Sequence, residues 1–186
     1  MSQIKPIIEI VNVVASATLD QELDLDDIQQ KIPDIEYVKE QFPGAIFRIK
    51  NPKTATLLFR TGKMVCTGAR SEELAKKAVK TVIQQLKKNG VKIKGKPTIE
   101  IQNIVSAVNL QKYIHIERAV RQLPRSMYEP EQFPGLIHRM VDPKTVILIF
   151  SSGKLVCTGA RKEEDVYRSV NGLNSTLEEK GLFGEK

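Results

Sequence analysis

The sequence has little of what metalloenzymes, secreted proteins and membrane proteins need. Its 186 residues include two cysteines and two histidines, Cys66, Cys157, His115 and His138, and neither a metal-ligand spacing nor a Ser/His/Asp pattern is present. No apolar run approaches the roughly 20 residues that cross a bilayer. The N-terminal residues MSQIKPIIEIVNVV lack the basic region and cleavage site of a signal peptide. We therefore expect an intracellular protein that needs no cofactor, and an enzyme is the weakest hypothesis.

Charge of one sign dominates, but it is unevenly distributed. The formal net charge is +7, which indicates an anionic partner or, alternatively, serves solubility alone. Residues 20–36 carry seven acids and a single base, Lys31, whereas residues 91–96 (VKIKGK) carry three lysines. A polyanion should avoid the first of these segments.

The chain is internally duplicated. EQFPGAIFRIKNPKTATLLFRTGKMVCTGAR, from Glu40 to Arg70, returns as EQFPGLIHRMVDPKTVILIFSSGKLVCTGAR, from Glu131 to Arg161. The offset of 91 residues continues without a gap from Pro6/Pro97 to Gly90/Gly181. Two copies are too few for a solenoid, which needs about three. We predict one body with two-fold pseudosymmetry, built from a first repeat at residues 1–91 and a second at residues 92–186.

Each repeat is predicted to contain about five strands and two helices, which gives an α+β fold. In the first repeat the predicted strands are residues 7–15, a segment near Tyr37, and residues 45–50, 54–59 and 63–67. A short amphipathic helix is expected at residues 24–32 with Asp24 as its cap, and a long helix at residues 71–88 with Ser71 as its cap. The second repeat reproduces both helical patterns.

Strand parity divides each repeat into two faces, because successive side chains of a strand point to opposite sides of a sheet. On one side, called here the identical face, every residue is the same in both repeats. It comprises Ile8, Ile10, Asn12, Val14, Ile46, Arg48, Leu57, Phe59, Lys63, Val65 and Thr67 with their counterparts 91 residues later. On the other side, the divergent face, only Glu9/Glu100 and Cys66/Cys157 agree. A core tolerates hydrophobic exchange, so we predict that the helices pack on the divergent face.

The identical face has the composition of a binding surface. It is apolar with a cationic rim, and an exposed apolar patch of this kind marks an interaction site. Its identity in both repeats indicates a ligand that presents nearly the same chemistry twice, as the two antiparallel strands of duplex DNA do. Asparagine and threonine can donate to the acceptors of A·T pairs in the minor groove, and valine and leucine can lie where a guanine amino group would clash. The alternative is a protein interaction module, or a dimer, that uses the same apolar sheet.

The residues just described resemble the TATA-binding protein family, from about Pro6 to Gly181. The motifs that carry the resemblance are QNIV at 102–105, EPEQFPGLI at 129–137, DPKTVILIFSSGKLVCTGA at 142–160 and their first-repeat equivalents. The resemblance implies a pseudo-two-fold saddle of ten antiparallel strands with helices on the convex face. It implies a general transcription initiation factor that binds the minor groove of a TATA element and bends it, the family being itself the standard example of minor-groove kinking.

The family also implies partners and a compartment. The partners are double-stranded DNA, transcription factor B and, indirectly, RNA polymerase, with self-association of the free protein as a further expectation. Because no long low-complexity region precedes Pro6, we expect an archaeal protein, cytoplasmic and associated with the nucleoid. A eukaryotic member would be nuclear.

The resemblance assigns site residues position by position. The intercalating residues fall on Phe42, Phe59, Phe133 and Phe150. The minor-groove contacts fall on Asn12, Val14, Leu57, Val65, Thr67, Asn103, Val105, Leu148, Val156 and Thr158. The phosphate contacts fall on Arg48, Lys63, Arg70, Arg139, Lys154 and Arg161. The transcription factor B contacts fall on Glu129, Glu131 and Gln132.

Some of these residues also have a structural interpretation. Phe59 and Phe150 end strands and could belong to a core, and Phe42 and Phe133 could be turn hydrophobes. Cys66 and Cys157 have the parity of the divergent face, so we expect small buried side chains rather than a disulfide.

Overall fold

The computed structural model describes residues 4–185. The outermost residues of the two predicted repeats, 1–3 and 186, lie outside this range. The described residues form a nine-stranded sheet, a two-stranded sheet and four helices. The predicted α+β class is confirmed.

The elements follow each other in nearly the same order in both halves of the sequence. The first half contains β1 (Ile7–Thr18), α1 (Leu25–Lys31), β2 (Ala45–Lys50), β3 (Lys53–Leu58), β4 (Lys63–Ala69) and α2 (Glu72–Lys88). The second half contains β5 (Thr98–Asn109), β6 (Tyr113–Ile114), α3 (Ile116–Gln122), β7 (Ser126–Met127), β8 (Leu136–Arg139), β9 (Val146–Ile149), β10 (Lys154–Ala160), α4 (Glu163–Glu179) and β11 (Phe183–Gly184).

The strands of the large sheet have the order β2-β3-β4-β1-β5-β10-β9-β8-β7. Pairing is antiparallel from β2 to β1 and from β5 to β7. The strand predicted near Tyr37 is reduced to a single bridge between Glu36 and Ile46, with turns at residues 33–34 and 39–40 on either side of it. The small sheet, β6 with β11, was not predicted.

The described chain divides into two compact units. The first unit is Asn12–Gln102, and the second is residues 103–185 with residues 4–11. The divisions fall inside β1 and β5, so each unit includes part of both strands. Within the first unit Gln102 Nε2 donates to Ser16 Oγ at 2.8 Å, and within the second Gln111 Nε2 donates to the Lys5 carbonyl at 3.1 Å. The units therefore differ from the sequence repeats, whose boundaries at 1–91 and 92–186 stay a prediction.

Both helices of the first unit begin where their caps predict. Asp24 accepts a hydrogen bond from the Asp27 amide at 3.1 Å at the start of α1. Ser71 accepts one from the Leu74 amide at 3.0 Å at the start of α2. These side chains satisfy amide groups that lack a partner in the first helical turn. Acidic residues follow in the first turn of α2 and lysines in its last, which suits the helix dipole.

The long helices pack on the divergent face, as predicted. In the first unit α2 contacts β2, β3 and β4, and in the second α4 contacts β10. The buried strand residues beneath them include Leu58, Met64, Cys66, Ile147, Ile149, Leu155 and Cys157. No residue of the identical face is buried, and all of them lie in the described range. Each unit thus has a core on one side of its sheet and an open surface on the other. Between residues 4 and 185 there is no helix long and apolar enough to span a bilayer.

Candidate nucleic-acid interface

Asn12 is fixed in place at an irregularity of the first unit's sheet. The pairing of β1 with β4 shifts register between Val13 and Ala15, and Gly68 of β4 takes a φ of +101°, a conformation that favours glycine. The Gly68 amide donates to Asn12 Oδ1 at 2.7 Å, and Asn12 Nδ2 donates to Thr67 Oγ1 at 3.1 Å. A backbone amide can only donate, so it determines which end of the Asn12 side chain carries the oxygen.

The second unit repeats this arrangement around Asn103. The pairing of β10 with β5 shifts between Cys157 and Ala160, and Gly159 has a φ of +99°. Its amide donates to Asn103 Oδ1 at 2.7 Å, while Asn103 Nδ2 donates to Thr158 Oγ1 at 3.0 Å. Each Nδ2 carries a second hydrogen. Each unit therefore holds an amide donor, in a fixed orientation, on its open face.

Aliphatic side chains lie on the same open face as each asparagine. In the first unit Leu57 of β3 lies opposite Val65 of β4, and in the second Leu148 of β9 lies opposite Val156 of β10. Val14 and Val105 continue the same surface, and all six side chains are half-buried. Such a surface can contact the floor of a minor groove only where no guanine amino group protrudes. The combination of donors and aliphatic groups favours A·T pairs.

Four phenylalanines form one pair in each unit. Phe42 and Phe59 meet edge to face with ring centroids 6.0 Å apart, and Phe133 and Phe150 do the same at 5.8 Å. None of the four rings is buried, so the interpretation as core residues is wrong. The rings stand at the open side of the sheet as assembled pairs.

A glycine lies beneath each pair. A Cβ atom at Gly44 would come within 2.9 Å of the Phe42 ring and 3.0 Å of the Phe59 ring. At Gly135 the same distances, to Phe133 and Phe150, are 2.8 and 3.0 Å. Contacts this short would displace the rings, so both pairs pack directly on glycine backbone. The Pro-Gly sequence after the first phenylalanine therefore positions both rings of its pair.

Six cationic side chains lie at the rim of the two open faces, all of them exposed: Arg48, Lys63, Arg70, Arg139, Lys154 and Arg161. Lys63 and Lys154 begin β4 and β10. Arg48 Nε lies 3.5 Å from the Glu36 carboxylate. Flexible cations around an apolar surface are the arrangement expected for contacts with phosphate groups.

A comparison with known families identifies the family to which this surface belongs. A family model described as "Transcription factor TFIID (or TATA-binding protein, TBP)" matches residues 7–89 and again residues 98–180. The chain belongs to the TATA-binding protein family. The two matches correspond to the duplication of the sequence. Each open face therefore lies within a segment that matches the model of this family.

Curated relatives and a solved structure agree with this assignment. The TATA-box-binding protein of Pyrodictium occultum is 52% identical over 173 residues, which cover 93% of this chain and 87% of the relative. That of Sulfurisphaera tokodaii is 50% identical over 175 residues, or 94% and 88% of the two chains. The structure of Methanococcus jannaschii TBP matches with a TM-score of 0.84 and 43% identity, over 92% of this chain and 98% of that one. The fold is that of an archaeal TATA-binding protein.

The three residues expected to contact transcription factor B lie in the exposed turn between β7 and β8. The amides of Gln132 and Phe133 donate to the Glu129 carbonyl at 3.0 and 2.9 Å, which fixes the backbone of the turn. The side chains of Glu129, Glu131 and Gln132 are exposed. They are thus available to a partner, and their role in this member of the TATA-binding family stays a prediction.

Sequence reasoning missed the glycines that hold the asparagines. Gly68 and Gly159 donate the amide hydrogen bonds that orient Asn12 and Asn103. The available signal was the identical Thr-Gly-Ala at the end of β4 and β10. The pairing partner of each asparagine depends on strand register, which that signal alone does not give.

The cysteines and His138 have structural surroundings. Cys66 and Cys157 are free and buried, as expected, and burial raises the pKa of the Cys157 thiol to about 11. His138 lies on the divergent face, where its Nδ1 is 3.0 Å from Ser126 Oγ, and burial lowers its pKa. No group of three metal-ligating side chains occurs in residues 4–185.

Proposed function

We propose that the chain is an archaeal general transcription initiation factor that binds the minor groove of a TATA element. The observation that carries the proposal is the repeated open face, where a fixed asparagine donor is surrounded by aliphatic side chains. Asn12 and Asn103 donate to the N3 and O2 acceptors of A·T pairs near the centre of the element. Val14, Val105 and their aliphatic neighbours contact the groove floor. A guanine amino group would clash with this surface.

Affinity comes largely from the rim. Arg48, Lys63 and Arg70, with their counterparts Arg139, Lys154 and Arg161, neutralise phosphates and release condensed counterions. Binding should therefore weaken steeply as salt rises, with a log-log slope of about −0.9 for each phosphate neutralised. These contacts position the protein on the duplex and carry no sequence information of their own.

The phenylalanine pairs supply the deformation. Inserted between base steps at the two ends of the element, Phe42 with Phe59 and Phe133 with Phe150 unstack the bases and bend the duplex. Unstacking costs a few kcal/mol per step, which the larger contact with bent DNA offsets. Support for this step comes from the half-exposed rings, which are already paired over Gly44 and Gly135.

The complex then recruits the rest of the initiation machinery. Glu129, Glu131 and Gln132 project from a turn whose backbone is fixed by two hydrogen bonds. Two acidic side chains and an amide suit a basic surface on transcription factor B, which in turn brings RNA polymerase. No chemical step is required of this protein, and we propose no enzymatic activity.

An element with altered base pairs tests the groove assignment. An eight-base-pair A·T element is compared with two versions, one carrying G·C and one carrying inosine·C at the central pairs. Inosine lacks the amino group of guanine, so its minor groove resembles that of A·T, whereas its major groove resembles that of G·C. We expect tight binding to A·T and inosine·C elements and a loss of about 1–3 kcal/mol for each G·C pair. Equal loss on inosine·C would place readout in the major groove and overturn the proposal.

A second use of the open face is association of the free protein with a copy of itself. It is favoured by the aliphatic surface around Leu57 and Leu148, which are half-buried and lie on the side of the sheet opposite the core. Apolar association is insensitive to moderate salt, whereas phosphate contacts are not. Sedimentation of the free protein at low and high salt, with and without the A·T element, separates the two uses. A dimer that DNA fails to dissociate would make this face a protein interface.

A further inference from the structure

The residues of the identical face are the same in both units. A preference for one of the two directions of binding on DNA therefore has to arise from residues outside this face. Around Arg48 and its counterpart Arg139, the sequence differs at positions 91 residues apart. Asp34 becomes Arg125, and Glu36 becomes Met127. The exchange of Glu36 for Met127 replaces a carboxylate that is paired with Arg48 in the first unit by an uncharged side chain.

In the first unit, the backbone holds Glu36 beside β2. The Glu36 amide donates to the Ile46 carbonyl at 3.1 Å, and the Ile46 amide donates back to the Glu36 carbonyl at 2.8 Å. The Glu36 carboxylate thereby lies 3.5 Å from Arg48 Nε, with the two side chains 59% and 64% exposed. An exposed ion pair of this kind is weak. A DNA phosphate can reach Arg48, but it meets a carboxylate at the same place.

In the second unit, Met127 occupies the position that corresponds to Glu36. Met127 of β7 is paired with Ile137 and is 48% exposed. Two residues earlier, the Arg125 carbonyl accepts a hydrogen bond from the Arg139 amide at 3.1 Å. A hollow of about 640 Å³ here is lined by Arg125, Arg139, Lys144 and Arg161 among others. Asp165 also lines it but is paired with Arg168 at 3.3 Å.

We infer that Glu36 makes the two half-sites electrostatically unequal, competing with DNA phosphate for Arg48 while Arg139 stays available. The inference rests on the proposed DNA binding and adds to it a residue that sets direction. A phosphate lost from the half of the element that faces the first unit costs less binding than one lost opposite the second. The protein therefore places its first unit on the less charged half of a duplex.

A DNA whose only asymmetry is charge tests this directly. A self-complementary A·T element is made with neutral methylphosphonate linkages in one half. The direction of binding is read by DNA cleavage from an iron chelate attached to a cysteine introduced as Gln41→Cys, beside the first unit's Phe42. Cys66 and Cys157 are buried, so labelling is directed to the introduced thiol. We expect cleavage to favour the neutral half by about two- to fivefold, the range set by a single exposed charge contact.

Three variants in the same background complete the experiment. Glu36→Gln removes the carboxylate while its backbone bridge stays, and it should lower the ratio towards one. Met127→Glu adds an acid to the second half-site and should also lower it. Glu36→Met combined with Met127→Glu should lower the ratio further than either single variant, while Arg125 stays in the second unit in all three. On fully charged DNA, Glu36→Gln should also raise affinity and steepen the salt dependence.

The outcomes separate this inference from the proposed function. If the protein binds the fully charged A·T element but shows equal cleavage of both halves, Glu36 sets no direction and the inference is wrong. An unchanged ratio in Glu36→Gln or in the double exchange overturns it as well. Absence of binding to the fully charged A·T element would instead contradict the proposed function itself.

Discussion

At the scale of single residues, the asparagines are the most specific part of the site. Oδ1 of Asn12 and Oδ1 of Asn103 each accept a hydrogen bond from a glycine amide, and each Nδ2 keeps one hydrogen that it can donate to a ligand. Replacing both by aspartate keeps the shape and the oxygen that accepts from glycine. The replacement exchanges the Nδ2 donor for a carboxylate oxygen, and this anion would face the electronegative N3 and O2 atoms of A·T pairs.

The double variant Asn12→Asp/Asn103→Asp should therefore lose affinity for the A·T element by at least about 2–4 kcal/mol, because two buried hydrogen bonds become repulsive contacts. Thermal unfolding should change little, since both glycine bonds persist. Affinity is measured by titration of labelled DNA and stability by circular dichroism. Wild-type affinity in a folded double variant would show that the identical face is not the groove-binding surface.

His138 contributes a pH dependence of stability. Burial on the divergent face lowers its pKa from the ordinary value of 6.5, so the unfolded chain binds this proton more readily than the folded chain. Stability rises with pH wherever the unfolded state holds more protons. The contribution of His138 is therefore complete above about pH 6.5 and is lost as pH falls below it.

The variant His138→Phe tests this assignment, with phenylalanine taken from the equivalent position, Phe47. Urea unfolding of wild type between pH 8 and pH 5 should show a fall in unfolding free energy that is smaller in His138→Phe. The carboxylates titrate in both proteins and cancel in the comparison. Parallel pH profiles would mean that His138 is protonated equally in both states.

At the scale of elements, local signals were sufficient for the helices. Asp24 and Ser71 cap α1 and α2 as predicted, because a cap satisfies amides within its own first turn. Residues 45–50 form β2 with the predicted bounds, because the turn signal Asn51-Pro52 ends the strand. Elements made by distant pairing were not predictable in this way. The two-residue pair β6–β11 joins residues 113–114 to residues 183–184 and depends on contacts that no local pattern records.

The same distinction applies to the site. Parity identified the open face without any structure, because two copies of one sequence could be compared residue by residue. It could not show that Asn12 is held by Gly68, since that contact arises from the register shift between β1 and β4. Nor could it show that Gly44 supports both rings of a pair. Composition of the site was predictable, whereas its internal hydrogen bonding required the fold.

The phenylalanine pair of the second unit combines one ring from a turn with one ring from the end of a strand. Phe133 precedes Pro-Gly in the turn, and Phe150 follows β9, with its amide bonded to the Lys154 carbonyl at 3.0 Å. Replacing both by alanine should reduce affinity and bend together. The loss should be largest on stiff elements and smaller on flexible TA steps or pre-bent DNA, because the rings then have less deformation to supply.

Energy transfer between dyes on the two DNA ends measures the bend of this double variant. The pair Phe42→Ala/Phe59→Ala in the first unit serves as the matched comparison and should act in the same direction. Circular dichroism of both double variants checks that each one stays folded, because three of the four rings are partly buried. A variant that binds and bends the element as fully as wild type would remove intercalation from the mechanism.

At the scale of the whole molecule, duplication supplied two similar sets of surfaces, and divergence gave them different charges. The turns at residues 38–42 and 129–133 share the same backbone hydrogen bonds, with amides donating to the carbonyls of Val38 and Glu129. They also share the sequence Glu-Gln-Phe-Pro-Gly. They differ at Val38 and Lys39, which stand where the second turn has Glu129 and Pro130. The second turn is thus the more acidic of two nearly identical structures.

This pair of turns gives the recruitment proposal a control within the same chain. Glu129→Arg/Glu131→Arg should leave binary DNA binding intact and abolish the ternary complex with transcription factor B, because two attractive charges become repulsive toward a basic partner. Glu40→Arg, in the first turn, should leave both complexes intact. Gel mobility of the element with protein alone, and with protein and transcription factor B, distinguishes the species. An intact ternary complex in the Glu129/Glu131 variant would remove this turn from recruitment, whereas loss of the complex in Glu40→Arg would assign the contact to the first unit.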